Sequence, residues 1–208
     1  MGARGRSART PSGRPGVTAL LEVRPSRGKG RGLVALRDIK LGTVLPYCGV
    51  VRLEGPGVDT TYAMAAEYHD GRGRNGFVSM RGFLVDGNPK LLPGLRDSWK
   101  FAAYANEATR GPCNVVSVTN PAITHEALAR SFKEERPVIV AFYVVARDIA
   151  AGEELTTHYG SGYPRKYKYE PQPPSQAQRD LAEDAAAAVV RDPPGPLLFP
   201  AYRGGTGT

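Results

Sequence analysis

Apolar residues in this chain fall in short runs broken by turn signals, and one run stands out. Val138 to Val145 is eight apolar residues without interruption, rich in β-branched side chains, and predicts a strand buried on both faces. It closes through an Arg147-Asp148-Ile149 corner into Gly152-Glu153-Glu154-Leu155-Thr156-Thr157-His158-Tyr159-Gly160. Earlier segments predict further strands at Val17 to Val23, ended by Pro25, at Leu33 to Leu36, within Asp38 to Leu45 and at Tyr47 to Val51. Thr60 to Tyr68, Phe77 to Met80, Gly82 to Asp86 and Asn114 to Thr119 follow, with Asp70-Gly71 and Asn75-Gly76 as turns. Ser98 to Ala105 predicts one short helix with Ser98 as its N-cap. Asn106 to Pro112 reads as irregular, and Ala122 to Glu135 as a helical turn or a charged loop. Gln176 to Arg191 has helical composition and stops at Asp192-Pro193-Pro194. The sum is a mostly β fold with long irregular loops and few short helices.

A length of 208 residues with 41% hydrophobic side chains is enough for one core. The chain divides into a basic arm at 1–16, too poor in apolar residues to offset its ordering entropy, and a folded domain at 17–160. A basic, aromatic and then Pro-rich segment follows at 161–175, and a helix and tail at 176–208. The net charge of +8 points to a polyanion or an acidic partner. Two cysteines, Cys48 and Cys113, give neither a disulfide framework nor a C-x-x-C spacing, and with three histidines no metal site is expected. No apolar run reaches 18 residues, so no membrane span is expected. The arginine-rich start lacks the apolar stretch of a secretory signal and reads as a transit peptide, a nuclear address or a nucleic-acid arm.

Three segments carry candidate chemistry. Arg27-Gly28-Lys29-Gly30-Arg31-Gly32 alternates glycines, which permit close backbone approach. It is not a P-loop, because no Gly-Lys-Ser/Thr follows, nor a dinucleotide fingerprint, because a strand-like segment comes next. Tyr104-Ala105-Asn106-Glu107 and the Gly152 to Gly160 end are the other two.

In this order the three segments resemble the SET-domain family of protein lysine methyltransferases, over Leu20 to Gly160. Tyr47-Cys48-Gly49, Asp86-Gly87-Asn88 and Cys113-Asn114 resemble further family positions. The resemblance implies a β-clip-like fold of several small sheets with a knot-like crossing. It also implies transfer of a methyl group from S-adenosyl-L-methionine to a lysine side chain. Tyr159 would be the catalytic tyrosine, orienting the amine through its hydroxyl. Lys29, Gly30 and Arg31 would lie along the cofactor, and Asn106 would hydrogen-bond it. Glu107 would accept from the adenine amine, and Tyr62 would wall the cofactor or lysine channel.

The chain departs from the family pattern in places. Glu107 stands where a histidine is usual, and two extra residues separate Asn106 from Asn114. Thr157 replaces the aromatic that limits methyl number in many members, which implies a roomier channel and di- or trimethylation. His158 replaces a common Asp or Asn. No cysteine cluster follows Gly160, so Tyr163 to Tyr169 is the candidate for closing the channel.

The family and the charge together imply a histone tail as the favoured substrate, nucleosomal DNA as a further contact, and a nuclear or chromatin-associated setting. Two alternatives stand beside this. One is a non-catalytic SET-like module that binds protein or chromatin, suggested by the altered Asn106-Glu107-Ala108. The other is a nucleic-acid-binding β protein, suggested by the arm.

Overall fold

The computed structural model describes residues 20–70, 77–92, 101–109, 111–160, 163, 169 and 171–193. The basic arm, the Asn75-Gly76 turn, Ser98, Tyr167 and the tail after 193 lie outside them.

Among the described residues nine strands form two sheets. β1 (Leu21–Ser26), β2 (Gly30–Ala35), β9 (Glu154–Thr157) and β6 (Asn106–Glu107) make the first, in that order. β4 (Ala63–His69), β5 (Phe77–Asp86), β3 (Val44–Leu53), β8 (Val138–Val145) and β7 (Val115–Thr119) make the second. Two helices complete the fold. α1 (His125–Glu134) is N-capped by Thr124, and α2 (Gln176–Arg191) opens with a Ser175/Gln178 capping box.

β8 matches the expected strand from end to end because it serves two cores. One lies between the sheets and contains Leu33, Val115, Tyr143, Val145 and Leu155. The other lies between β8 and α2 and contains Ile139, Phe142, Val144, Ala182 and Ala186. Both faces of the strand are therefore apolar.

Four local expectations change. Pro25 does not end β1 but pairs opposite Arg31 within it, which proline tolerates because β1 is an edge strand. Phe77 to Asp86 is one strand rather than two. In place of a helix ending at Ala105, the described residues hold a single 3₁₀ turn, Ala102–Tyr104. Asn106 and Glu107, expected to be irregular, form β6 and pair in parallel with Thr156 and Thr157.

The knot-like crossing follows from hydrogen-bond parity. Consecutive residues of a strand present their N–H and C=O to opposite edges. The Thr157 carbonyl accepts Ala108 N–H at 3.1 Å, and the Thr156 carbonyl accepts Asn114 N–H at 3.1 Å. Ala108 and Asn114 therefore flank β9 on opposite edges, and the chain between them crosses it. Asn114 adds its side chain, accepting Thr156 N–H at 2.7 Å and donating to the Glu154 carbonyl at 2.9 Å.

Candidate functional site

Three distant segments meet at β9. The hairpin Arg27 to Gly30 turns with positive φ at Gly28 and Gly30, both 76°, and leads into β2. Gly32 must lack a side chain. A Cβ there would overlap the Glu154 carboxylate and come within 2.9 Å of the Asn106 amide nitrogen. The space it leaves holds a lock: the Asn106 amide donates to the Arg31 carbonyl at 3.0 Å and to Glu154 Oε1 at 2.7 Å. Glu154 Oε2 also accepts from the Ser26 hydroxyl at 3.1 Å.

Glu107 is buried at 1% exposure. Its Oε1 accepts the Tyr159 backbone N–H at 2.9 Å, and its carbonyl accepts from Lys29 Nζ. Burial holds the Lys29 ammonium below the usual lysine range, against the opposing pull of Glu154 and Glu107. Arg31 lies over the Tyr104 ring at 5.7 Å, and Tyr104 meets Tyr62 edge-on at 5.5 Å. Six of the seven residues singled out from sequence thus form a connected set: Lys29, Arg31, Asn106 and Glu107 with Tyr159, and Tyr62 through Tyr104. Gly30 supplies the turn, with open space over its Cα.

Tyr159 follows β9. Its hydroxyl donates to the Ala105 carbonyl at 3.2 Å, and its ring packs edge-on against Tyr163 at 4.7 Å. One edge of the ring reaches solvent, yet burial pushes the phenol well above its ordinary value, helped by Tyr143 and Tyr163. With its proton committed to Ala105, the oxygen remains an acceptor, which suits a positively charged or amine-bearing neighbour. The nearby carboxylates of Glu107 and Glu154 suit the same kind of group.

Tyr159 stands at a cavity of about 310 Å³ whose wall includes Tyr47, Tyr62, Tyr143 and Tyr163. Tyr47 stacks on Tyr143 at 5.6 Å and donates to the Tyr62 carbonyl. A second cavity of about 510 Å³ lies against Thr157, Arg179 and the Pro171 to Pro174 segment, and it shares Ser117, His158 and Gly160 with the first. Thr157 is 1% exposed, and its hydroxyl finds no partner among the described residues. Neither cavity is lined by Lys29, Gly30, Arg31, Asn106 or Glu107. Among the described residues no cluster of His, Cys, Asp and Glu has the arrangement of a metal site.

Tyr143 and Glu67, on the wall of the first cavity, were not singled out from sequence. Tyr143 is embedded in an apolar run and reads as core. Glu67 acquires its setting only from β7, described below.

The sequence model of the SET domain matches residues 30–160. The chain belongs to the SET-domain family. Two solved structures are similar to it at low identity. One is the methyltransferase domain of human PR domain-containing protein 2, 16% identical over 71% of this chain and 82% of that one, with a TM-score of 0.42. The other is the SET domain of the RIZ1 tumor suppressor (PRDM2), 16% identical over 82% and 80%, with a TM-score of 0.47. No curated relative matches the chain significantly. The family assignment rests on the sequence match, and the two sheets with their crossing at β9 are the SET-domain fold expected from the motifs.

Proposed function

We propose that this SET domain is an S-adenosylmethionine-dependent protein lysine N-methyltransferase acting on a histone tail. The observation that carries the reading is Tyr159: its hydroxyl donates to the Ala105 carbonyl, its backbone N–H is held by the Glu107 carboxylate, and the residue lines a tyrosine-rich cavity.

When bound, the cofactor would supply a sulfonium methyl for in-line attack by an amine, with the neutral thioether as the leaving group. Lys29, Gly30, Arg31 and Asn106 would hold it, with the open face of Gly30 giving backbone access and Glu107 and Glu154 offsetting its positive charge. The chain's own work is to receive and align the lysine. A free lysine has a pKa of about 10.4 and arrives charged. Enclosure among tyrosines favours the neutral amine. The Tyr159 oxygen accepts an N–H from it and fixes its direction. Because its pKa is raised, Tyr159 stays a neutral phenol at working pH and serves as an orienting group, not a base. Thr157 leaves room where an aromatic would limit the number of methyls, which favours di- or trimethylation.

The net charge of +8 and the arginine-rich arm support a chromatin setting, with nucleosomal DNA as an added contact and a nuclear location. The test is transfer of labelled methyl from the cofactor to a panel of purified histones. Transfer lost on Tyr159→Phe supports the proposal; no transfer, or transfer indifferent to that substitution, overturns it.

One observation favours a non-catalytic binding module instead. The Asn106 amide and the Lys29 ammonium, both assigned to the cofactor, are already engaged with Arg31, Glu154 and Glu107. Calorimetry separates the readings: a catalyst gives a heat of binding with S-adenosylmethionine, and an inert module gives none.

A further inference from the structure

The second sheet is curled so that its two edge strands, β4 and β7, face each other across the cavity at Tyr159. β4 lines this seam with Ala63, Met64, Ala65 and Glu67, while Ala66 and Tyr68 pack on the core. Ser117 and Thr119 of β7 face them, while Val116 and Val118 turn to α2. Ala141 and Tyr143 of β8 form the floor. At the far end the Thr119 hydroxyl donates to Glu67 Oε2 at 3.2 Å and ties the two edges together. The register between β4 and β5 shifts between Ala65 and Glu67. In a chain of net charge +8, Glu67 is the one carboxylate on the described wall of this cavity, and no lysine or arginine shares that wall.

The spacing is informative. Ser117 pairs with Tyr143 and Thr119 with Ala141, so the Glu67–Thr119 contact lies two strand positions, ~7 Å, along the sheet from Tyr143. Tyr143 in turn is close enough to Tyr159 to help raise its pKa. An extended peptide places its residues i and i±2 on one face at that same spacing. We infer that the seam takes an extended peptide whose target lysine enters at Tyr159 while a basic side chain two residues away pairs with Glu67. The small Ala63 and Ala65 leave room for the stretch between them. The inference deepens the methyl-transfer reading and rests on it.

The test uses the full chain and short peptides holding one lysine in a Gly/Ser/Ala background. Arginine is placed one or two positions before or after the lysine, or left out. Binding by fluorescence anisotropy and methyl transfer are read separately. The expected result is binding about tenfold tighter with arginine at one of the two-residue positions than at either neighbouring one, lost in Glu67→Gln. Glu67→Lys should reverse the preference toward glutamate at that position, a gain that a folding defect cannot produce. Binding indifferent to the arginine, or unchanged in Glu67→Gln, overturns the inference even if transfer proceeds. Arginine-dependent binding without transfer to any peptide or histone leaves the peptide seam standing and overturns the methyl-transfer reading.

Discussion

The Glu107 carboxylate accepts the backbone N–H of Tyr159 at 2.9 Å, so the residue that departs most from the family pattern is the one that seats the proposed catalytic tyrosine. In Glu107→Gln an acceptor oxygen remains, and stability should be largely retained, while loss of the charge should weaken cofactor binding. In Glu107→Ala the part-buried Tyr159 N–H loses its partner, costing ~1 kcal/mol. The denaturation midpoint should fall, and transfer should fall by more than the unfolded fraction explains.

Gly32→Ala should destabilise the fold by ~1–3 kcal/mol, because the added methyl enters the space of the Asn106–Glu154 hydrogen bond. Shortening Glu154 to alanine in the same chain should make the two effects strongly non-additive. Denaturant unfolding of the two single variants and the double variant reads this coupling directly. Additive losses would mean that the glycine serves something other than this bond.

The C-terminal helix is part of the core. Ala182→Glu or Ala186→Glu should cost more than ~3 kcal/mol by burying a carboxylate against Phe142 and Val144. Ala187→Glu, on the exposed face of the same helix, should stay within ~0.5 kcal/mol. Circular dichroism against urea separates the two faces.

Burial raises the ionisation of Tyr47, Tyr143, Tyr159 and Cys48 above their ordinary values. Each then adds stability that is complete below its unfolded value, about 8.5 for the thiol and 10 for the phenols, and that is lost as pH rises through its folded value. Lys29 has the opposite sign. Its folded value is depressed, so the unfolded chain holds more protons, and stability recovers as pH climbs from that folded value toward about 10.4. Four groups outweigh one, and the melting temperature should decline above pH ~9 to 10. Tyr143→Phe should make that decline shallower.

What was legible in the sequence was whatever is decided locally or by two-sided burial. α2 could be read from its helical composition and the Asp192-Pro193 stop, and the Ser175/Gln178 capping box fixes its start in the structure. β8 was clear because both of its faces are covered. β6 was not, since two residues become a strand only when β9, almost fifty positions later, lies beside them. Pro25 misled because its place at a sheet edge is a property of the assembled sheet. The candidate site residues were chosen through the order of motifs, which says nothing of their partners. Nothing in Tyr-Ala-Asn-Glu foretells that Glu107 receives Tyr159 N–H. Glu67 carries no signal at all until Thr119 arrives opposite it.

The crossing at β9 sets the timetable of assembly. During synthesis the Ser26 to Gly30 hairpin and Asn106, Glu107 and Asn114 all emerge before β9, yet each is bonded by residues of Glu154 to Tyr159. A half-made chain therefore lacks the assembled site, and β9 is the segment that joins its parts.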